Sequence, residues 1–165
     1  KNIGGSLLEE SMIPVALDLI NKARMKNVNL VLPIDVLCAR NIESQSIDGC
    51  YAIEKIPRGV MGLDIGIETL KLFESILSSS KTVLWNGPMG VFEKKQFSSG
   101  TEKLGKILSK LALKDAKVVV GGGDTAAALE LFGLNNNMNH VSTGGGASLE
   151  LLSGNPLPAI QSLEI

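Results

Sequence analysis

The densest concentration of chemistry in this sequence is Gly121-Gly122-Gly123-Asp124-Thr125, and a second glycine triplet, Gly144-Gly145-Gly146, follows further along. Each triplet comes directly after a short strand-like run, Val118-Val119-Val120 in the first case and His140-Val141-Ser142-Thr143 in the second. A strand ending in glycines lets backbone N–H groups approach a ligand with no side chain in the way. A helix opening there adds its unpaired amides and the positive end of its dipole. The chemistry this suits is phosphate binding. Taken alone, either triplet reads equally well as an ordinary tight turn.

Asp124 narrows the choice of ligand. As a helix N-cap it would be unremarked, since Asp is a preferred cap. Beside a phosphate, however, its carboxylate would repel the ligand unless a hard cation such as Mg2+ lay between them, an ion that takes one or two carboxylates together with phosphate oxygens. Thr125 either donates a hydroxyl to a phosphate oxygen or simply fills a first helical turn. A third glycine-bearing stretch, Asn86-Gly87-Pro88-Met89-Gly90, follows another apolar run. Just beyond it Glu93 is either a ribose-hydroxyl acceptor or a solvated acid beside Lys94 and Lys95. Trp85 ends an apolar run and reads as core rather than as a stacking platform. His140, with no second histidine or nearby nucleophile, reads as structural. Neither G-x-G-x-x-G nor G-x-x-x-x-G-K-[ST] occurs, so two common nucleotide loops are absent.

The elements that must position these residues alternate. Leu7, Leu8, Met12, Val15, Ala16, Leu19, Ile20 and Ala23 recur at helical spacing, with acids early and bases late, and Pro14 marks a boundary or kink. Residues 28–32 form an all-apolar run ended by Pro33, which suits a strand buried on both faces. Residues 34–62 lack a sustained period and read as loop with one or two short strands, most readily over 51–56. Helical spacing returns over 66–77, a short strand over 82–85, and a helix over 98–111 with Ser99 or Thr101 as its cap. Strand 118–120, helix 125–132, strand 141–142 and helix 147–152 complete the alternation. Strand and helix in turn predict an α/β domain on a parallel sheet. All three glycine stretches then fall at strand carboxyl ends, where such sheets bind ligands.

Composition bounds the remaining functions. With 165 residues the chain can bury a proper core, and a single domain is the simplest expectation. Sixteen Lys and Arg against 17 Asp and Glu leave no long-range field to recruit nucleic acid or an anionic membrane. Cys38 and Cys50 are too few for a disulfide framework or a zinc site and read as reduced thiols. No apolar run reaches membrane-spanning length and no signal-peptide pattern opens the chain, so a reducing, soluble compartment is expected. A first residue of Lys1 rather than methionine suggests a fragment or processed product.

Three segments carry a family resemblance: Trp85-Asn86-Gly87-Pro88-Met89-Gly90-Val91-Phe92-Glu93, Gly121-Gly122-Gly123-Asp124-Thr125-Ala126-Ala127-Ala128, and Ser142-Thr143-Gly144-Gly145-Gly146-Ala147-Ser148-Leu149-Glu150. They resemble the signature segments of phosphoglycerate kinase. Leu32-Pro33-Ile34-Asp35-Val36, Ile56-Pro57 and Met61-Gly62-Leu63-Asp64-Ile65-Gly66 support the match, which runs in the family's order from end to end of the chain. The resemblance covers only the later part of the family's C-terminal, nucleotide-binding domain, so residues 1–165 are expected to form a partial domain without the N-terminal phosphoglycerate-binding domain.

The resemblance implies phosphoryl transfer between 1,3-bisphosphoglycerate and MgADP, giving 3-phosphoglycerate and MgATP in glycolysis. It assigns Gly62 and Leu63 to the border of the adenine, with Pro88, Gly90 and Val91 on the same pocket. It places Asn86 near the phosphates, Glu93 on the ribose, Gly122, Gly123 and Thr125 on the phosphates, and Asp124 on the magnesium. The amides around Gly144 to Gly146 would face the transferring group, with Gly123 and Gly146 the catalytic positions. It also implies a three-layer αβα, Rossmann-like parallel sheet that is incomplete, with two upstream strands missing between residues 28–32 and 82–85. Lysines that neutralise the transferred phosphoryl would likewise lie upstream. The chain departs from the family at Arg40, Val60 and Ile67, where an acid, tryptophan and proline are usual. The expected protein is a monomer when complete and resides in the cytosol or an organelle such as a plastid. This chain alone is expected to be inactive; the alternatives are a non-catalytic MgADP/MgATP-binding module and a truncated product without function.

Overall fold

A computed structural model describes residues 3–163. The chain divides into two compact units, residues 1–69 and 70–165, and the division falls within a helix.

In the first unit, a single 3-10 turn over Glu10–Met12 leads into helix α1, Ile13–Met25. Pro14 lies in the first turn of α1, where its missing N–H costs nothing, so it starts the helix rather than kinking it. The helix stops at Asn27, whose φ of 53° is the left-handed conformation that asparagine tolerates, and the Val28 N–H returns to the Ala23 carbonyl at 2.8 Å. Residues 28–32 then run on outside any strand. The expected doubly buried strand is not formed: Val28, Leu30 and Leu32 are 59%, 49% and 56% exposed. A parallel strand becomes buried only when neighbours cover its edges and faces. Among the described residues no strand pairs with this run.

Strands β1 (Asp35–Ala39), β2 (Gly49–Ala52) and β3 (Met61–Ile65) form an antiparallel sheet in the order β2-β1-β3. Sequence periodicity did not resolve β1 and β3. The strands are short, β1 carries a register shift between Leu37 and Cys38, and buried polar residues Asp35 and Asp64 interrupt their apolar pattern. Cys38 is buried and Cys50 exposed, both as free thiols.

The second unit takes up α2, Ile67–Leu77, from Leu70 onward, then β4 (Thr82–Asn86), α3 (Ser99–Ala112), β5 (Lys117–Gly121), α4 (Gly123–Leu131), β6 (His140–Ser142), α5 (Gly145–Leu152) and α6 (Pro158–Gln161). Strands β4, β5 and β6 lie parallel in that order, flanked by helices, as the strand–helix alternation predicts. Leu104, Ile107, Leu108 and Leu111 bury one face of α3, while Val118 and Val120 of β5 and Ala128 and Leu129 of α4 are fully enclosed. Trp85 belongs to this core, at 5% exposure. Ser98, not Ser99 or Thr101, occupies the N-cap position of α3, and it makes no side-chain capping bond. No described helix is long and apolar enough to cross a membrane.

Candidate functional site

Register decides where the glycine stretches meet. Asn86 at the end of β4 pairs with Gly121 at the end of β5, and Gly121 pairs with Ser142 at the end of β6. Three parallel strands thus finish level, and the turns leaving them share one edge of the sheet. The Gly122 N–H donates to the Ser142 carbonyl at 3.0 Å, which ties the second turn to the third.

The glycines there have different reasons to be glycine. Gly122 has a φ of +98°, and a side chain on it would approach Asn86 Oδ1 to 2.8 Å. Gly145 packs so closely that a Cβ would lie 2.6 Å from Gly122 Cα and 2.7 Å from Gly122 N. The two triplets are therefore pressed backbone to backbone, with the Asn86 side chain beside them. Gly123 and Gly146 differ, because a Cβ on either would meet nothing within 4 Å. They open onto unfilled space.

Both triplets turn directly into helices. Gly122 is the N-cap of α4 and Gly144 that of α5, and neither end has a side-chain cap. Their first amides lack intrahelical partners by construction. Asp124 is therefore not the N-cap; it lies inside the first turn of α4, exposed and favourably placed against the helix dipole. No group of three or more His, Cys, Asp or Glu among the described residues forms a ready metal cage. A lone carboxylate at an open helix start fits Mg2+ brought in on phosphate oxygens, since that ion needs only one or two protein carboxylates.

Thr125, at 1% exposure, turns its hydroxyl inward, where Oγ1 accepts the Gly87 N–H at 2.8 Å. Trp85 Nε1 donates to the Gly87 carbonyl at 2.7 Å. The loop after β4 is thus anchored to the glycine turn after β5, and it carries Pro88, Gly90, Val91 and, exposed, Glu93. Thr101 is a further anchor of this loop. Its place in the sequence marks it only as a candidate helix cap, because a threonine in a first turn gives no sign of which amides its hydroxyl will meet. His140 opens β6 and is exposed.

Gly62 and Leu63 lie apart in sequence and unit, on β3. Leu63 is buried at 6% exposure, and the Gly62 N–H donates to Ser6 Oγ at 3.0 Å. The structure of the first unit gives them a place in its sheet. The strongest polar cluster of that unit is one the sequence did not point to. Asp35 Oδ1 accepts the Thr69 N–H at 2.7 Å and the Thr69 hydroxyl at 2.6 Å; Oδ2 accepts the Glu68 N–H at 3.1 Å and the Cys50 thiol at 3.4 Å. Burial pushes the Asp35 carboxyl up, but the bonds from Thr69, Glu68 and Cys50 outweigh it and hold the group below the ordinary aspartate value. Burial, reinforced by the bond to Asp35, raises the Cys50 thiol.

A parallel sheet whose strands end together in glycine turns and uncapped helix starts defines an α/β protein with an edge able to receive an anion. Known proteins narrow this further: the phosphoglycerate kinase family model matches residues 1–155, and the chain belongs to that family. It is 48% identical to the cytosolic phosphoglycerate kinase of Nicotiana tabacum over 162 residues, covering 98% of this chain and 40% of the relative. It is likewise 48% identical to the phosphoglycerate kinase of Synechococcus elongatus over 163 residues, covering 99% and 40%. The solved phosphoglycerate kinase of Coxiella burnetii superimposes with a TM-score of 0.88 at 40% identity, over 96% of this chain and 40% of that one. That of Pyrococcus horikoshii gives 0.70 at 26% identity, over 99% and 40%. The chain thus spans about 40% of the length of these relatives.

Proposed function

We propose that this chain forms the nucleotide-handling part of a phosphoglycerate kinase, an enzyme that moves a phosphoryl group between 1,3-bisphosphoglycerate and MgADP to give 3-phosphoglycerate and MgATP. One observation carries the reading: Gly122 is required by its positive φ and the Asn86 side chain and Gly145 by close contact with the Gly122 backbone, whereas Gly123 and Gly146 face open space with no internal reason to lack a side chain. Bare backbone beside uncapped helix starts suits a ligand whose phosphates need amides close by.

Within this reading the first-turn amides of Gly123 and Thr125 take the nucleotide phosphates, Gly122 lends bare backbone beside them while its own N–H donates to the Ser142 carbonyl, and the amides around Gly144 to Gly146 face the transferring group. Gly123 and Gly146 act catalytically by presenting N–H donors to charge that spreads over the transferred oxygens. Thr125 contributes its backbone N–H, because its side chain is buried with the hydroxyl turned inward to Gly87. Asn86 borders the phosphates, Pro88, Gly90 and Val91 the base, and Glu93 the ribose hydroxyls. Asp124 holds Mg2+, which when bound neutralises phosphate charge. Gly62 and Leu63 retain the adenine role only on the family resemblance. Residues that bind phosphoglycerate and neutralise its transferred group belong to the part of the family that this chain does not span. The isolated chain accordingly binds nucleotide without turning over. The cytosolic tobacco relative supports a cytosolic setting.

Titration calorimetry of ADP with and without Mg2+ tests the reading. Binding should strengthen with Mg2+, and Asp124→Asn should abolish that gain while raising metal-free ADP affinity, since the carboxylate that repels bare phosphate is gone. Absence of heat under both conditions, or equal affinity in both, would overturn the metal–nucleotide assignment. In a coupled assay the isolated chain should give no turnover; sustained turnover would refute its inactivity.

A further inference from the structure

Thr101 has no solvent exposure and lies in the first turn of α3, yet its hydroxyl does not cap that helix. Its Oγ1 accepts the N–H of Met89 at 3.0 Å and that of Gly90 at 3.4 Å. A hydroxyl sealed from water is costly unless it is paired. Its partners here are two consecutive amides of the loop leaving β4, and one acceptor serving both fixes the orientation of the peptide between them. The same loop is held at Gly87 by Thr125 Oγ1 from α4 and by Trp85 Nε1 from β4. Three buried side chains from three elements therefore clamp one short loop.

We propose that Thr101 is a positioning residue for nucleotide binding: it holds residues 88–91 in the backbone conformation that receives the nucleotide, without touching the ligand. The inference rests on the nucleotide reading above, which assigns Pro88, Gly90 and Val91 to the base. A loop fixed in advance loses little freedom when ligand arrives, whereas a loop released from its anchor must be ordered at the expense of affinity.

The test compares the parent chain with Thr101→Val, Thr101→Ala and Thr101→Ser by MgADP calorimetry, thermal melting and amide hydrogen exchange. Removing the acceptor in Thr101→Val should weaken MgADP binding roughly tenfold. Thr101→Ser, which keeps the hydroxyl, should stay within about twofold of the parent. Exchange in Thr101→Val should accelerate at Met89 and Gly90 while the amides of β5 remain protected. A folded Thr101→Val or Thr101→Ala chain that binds MgADP as tightly as the parent overturns the proposal. Should neither fold, the parent and Thr101→Ser decide: amides at Met89 and Gly90 that exchange as freely as those of an open loop overturn it, and amides protected in both, with affinity retained in Thr101→Ser, support it. A parent chain that binds no MgADP removes the nucleotide reading, and the positioning role with it, although protection at Met89 and Gly90 would still report the anchor.

Discussion

Gly145 and Asp124 illustrate how far a residue's type reveals its task. The glycine triplets announce bare backbone near a helix start, yet only the tertiary packing separates a glycine pressed against other backbone from glycines that touch nothing. Gly145→Ala should be the more damaging change, because its Cβ would be forced against Gly122. We expect a loss of about 1–3 kcal/mol in thermal or denaturant unfolding, typical of overpacking, together with weakened MgADP binding. Gly146→Ala, facing open space, should leave stability within about 0.5 kcal/mol of the parent. Equal melting temperatures for Gly145→Ala and Gly146→Ala would contradict the packing described. Asp124 is legible in the sequence as an acid beside a glycine turn at a helix start. That it lies within the first turn instead of capping the helix is not, since the cap is decided by where β5 ends and by the left-handed backbone at Gly122.

At the scale of elements, α2 begins where Asp35 of β1 meets its first amides. The carboxylate takes the N–H groups of Glu68 and Thr69, a capping arrangement supplied from a strand distant in sequence. Asp35→Ala should therefore destabilise the first unit by about 1–3 kcal/mol, since several buried donors lose their acceptor together. Its pH dependence has a definite sign. The folded carboxyl titrates below its ordinary value of 3.8, so its stabilisation is fully present above that value and is lost as pH falls through the lower folded-state value. Acid titration monitored by denaturant unfolding should show the parent losing its advantage over Asp35→Ala below about pH 4. A stability difference unchanged by acid would contradict the network. Element types with strong periodicity, such as α3 and β5, were legible from sequence. Strands β1 and β3 were not, because their burial depends on mutual antiparallel pairing and on a polar cluster that no local pattern encodes.

For the molecule as a whole, the two units differ in how much apolar surface they enclose. Helix α1 has no buried residue, and Leu7, Leu17, Leu19, Val28, Leu30 and Leu32 are all at least half exposed or close to it. So many exposed large apolar side chains in one unit are unusual for a free-standing surface. The purified chain should bind a hydrophobic dye such as anilinonaphthalene sulfonate in native buffer. Replacing Leu30 and Leu32 with lysine should reduce the dye fluorescence; fluorescence at the level of dye with a closed globular protein would contradict this exposure.

By itself the sequence determined the strand–helix alternation, the glycine turns at strand ends, and a resemblance specific enough to name the family. Those are properties of local composition and of short motifs, and each is written in consecutive residues. Tertiary structure alone decided that the glycine turns finish level, that Thr101 and Thr125 hold the loop after β4, and that Asp35 caps α2. Each of these joins residues far apart in the chain, and its energy comes from desolvated hydrogen bonds and close backbone contact that exist only once the sheets have formed. The run over residues 28–32 makes the same point in reverse: its composition suits a buried strand, but burial is conferred by neighbours.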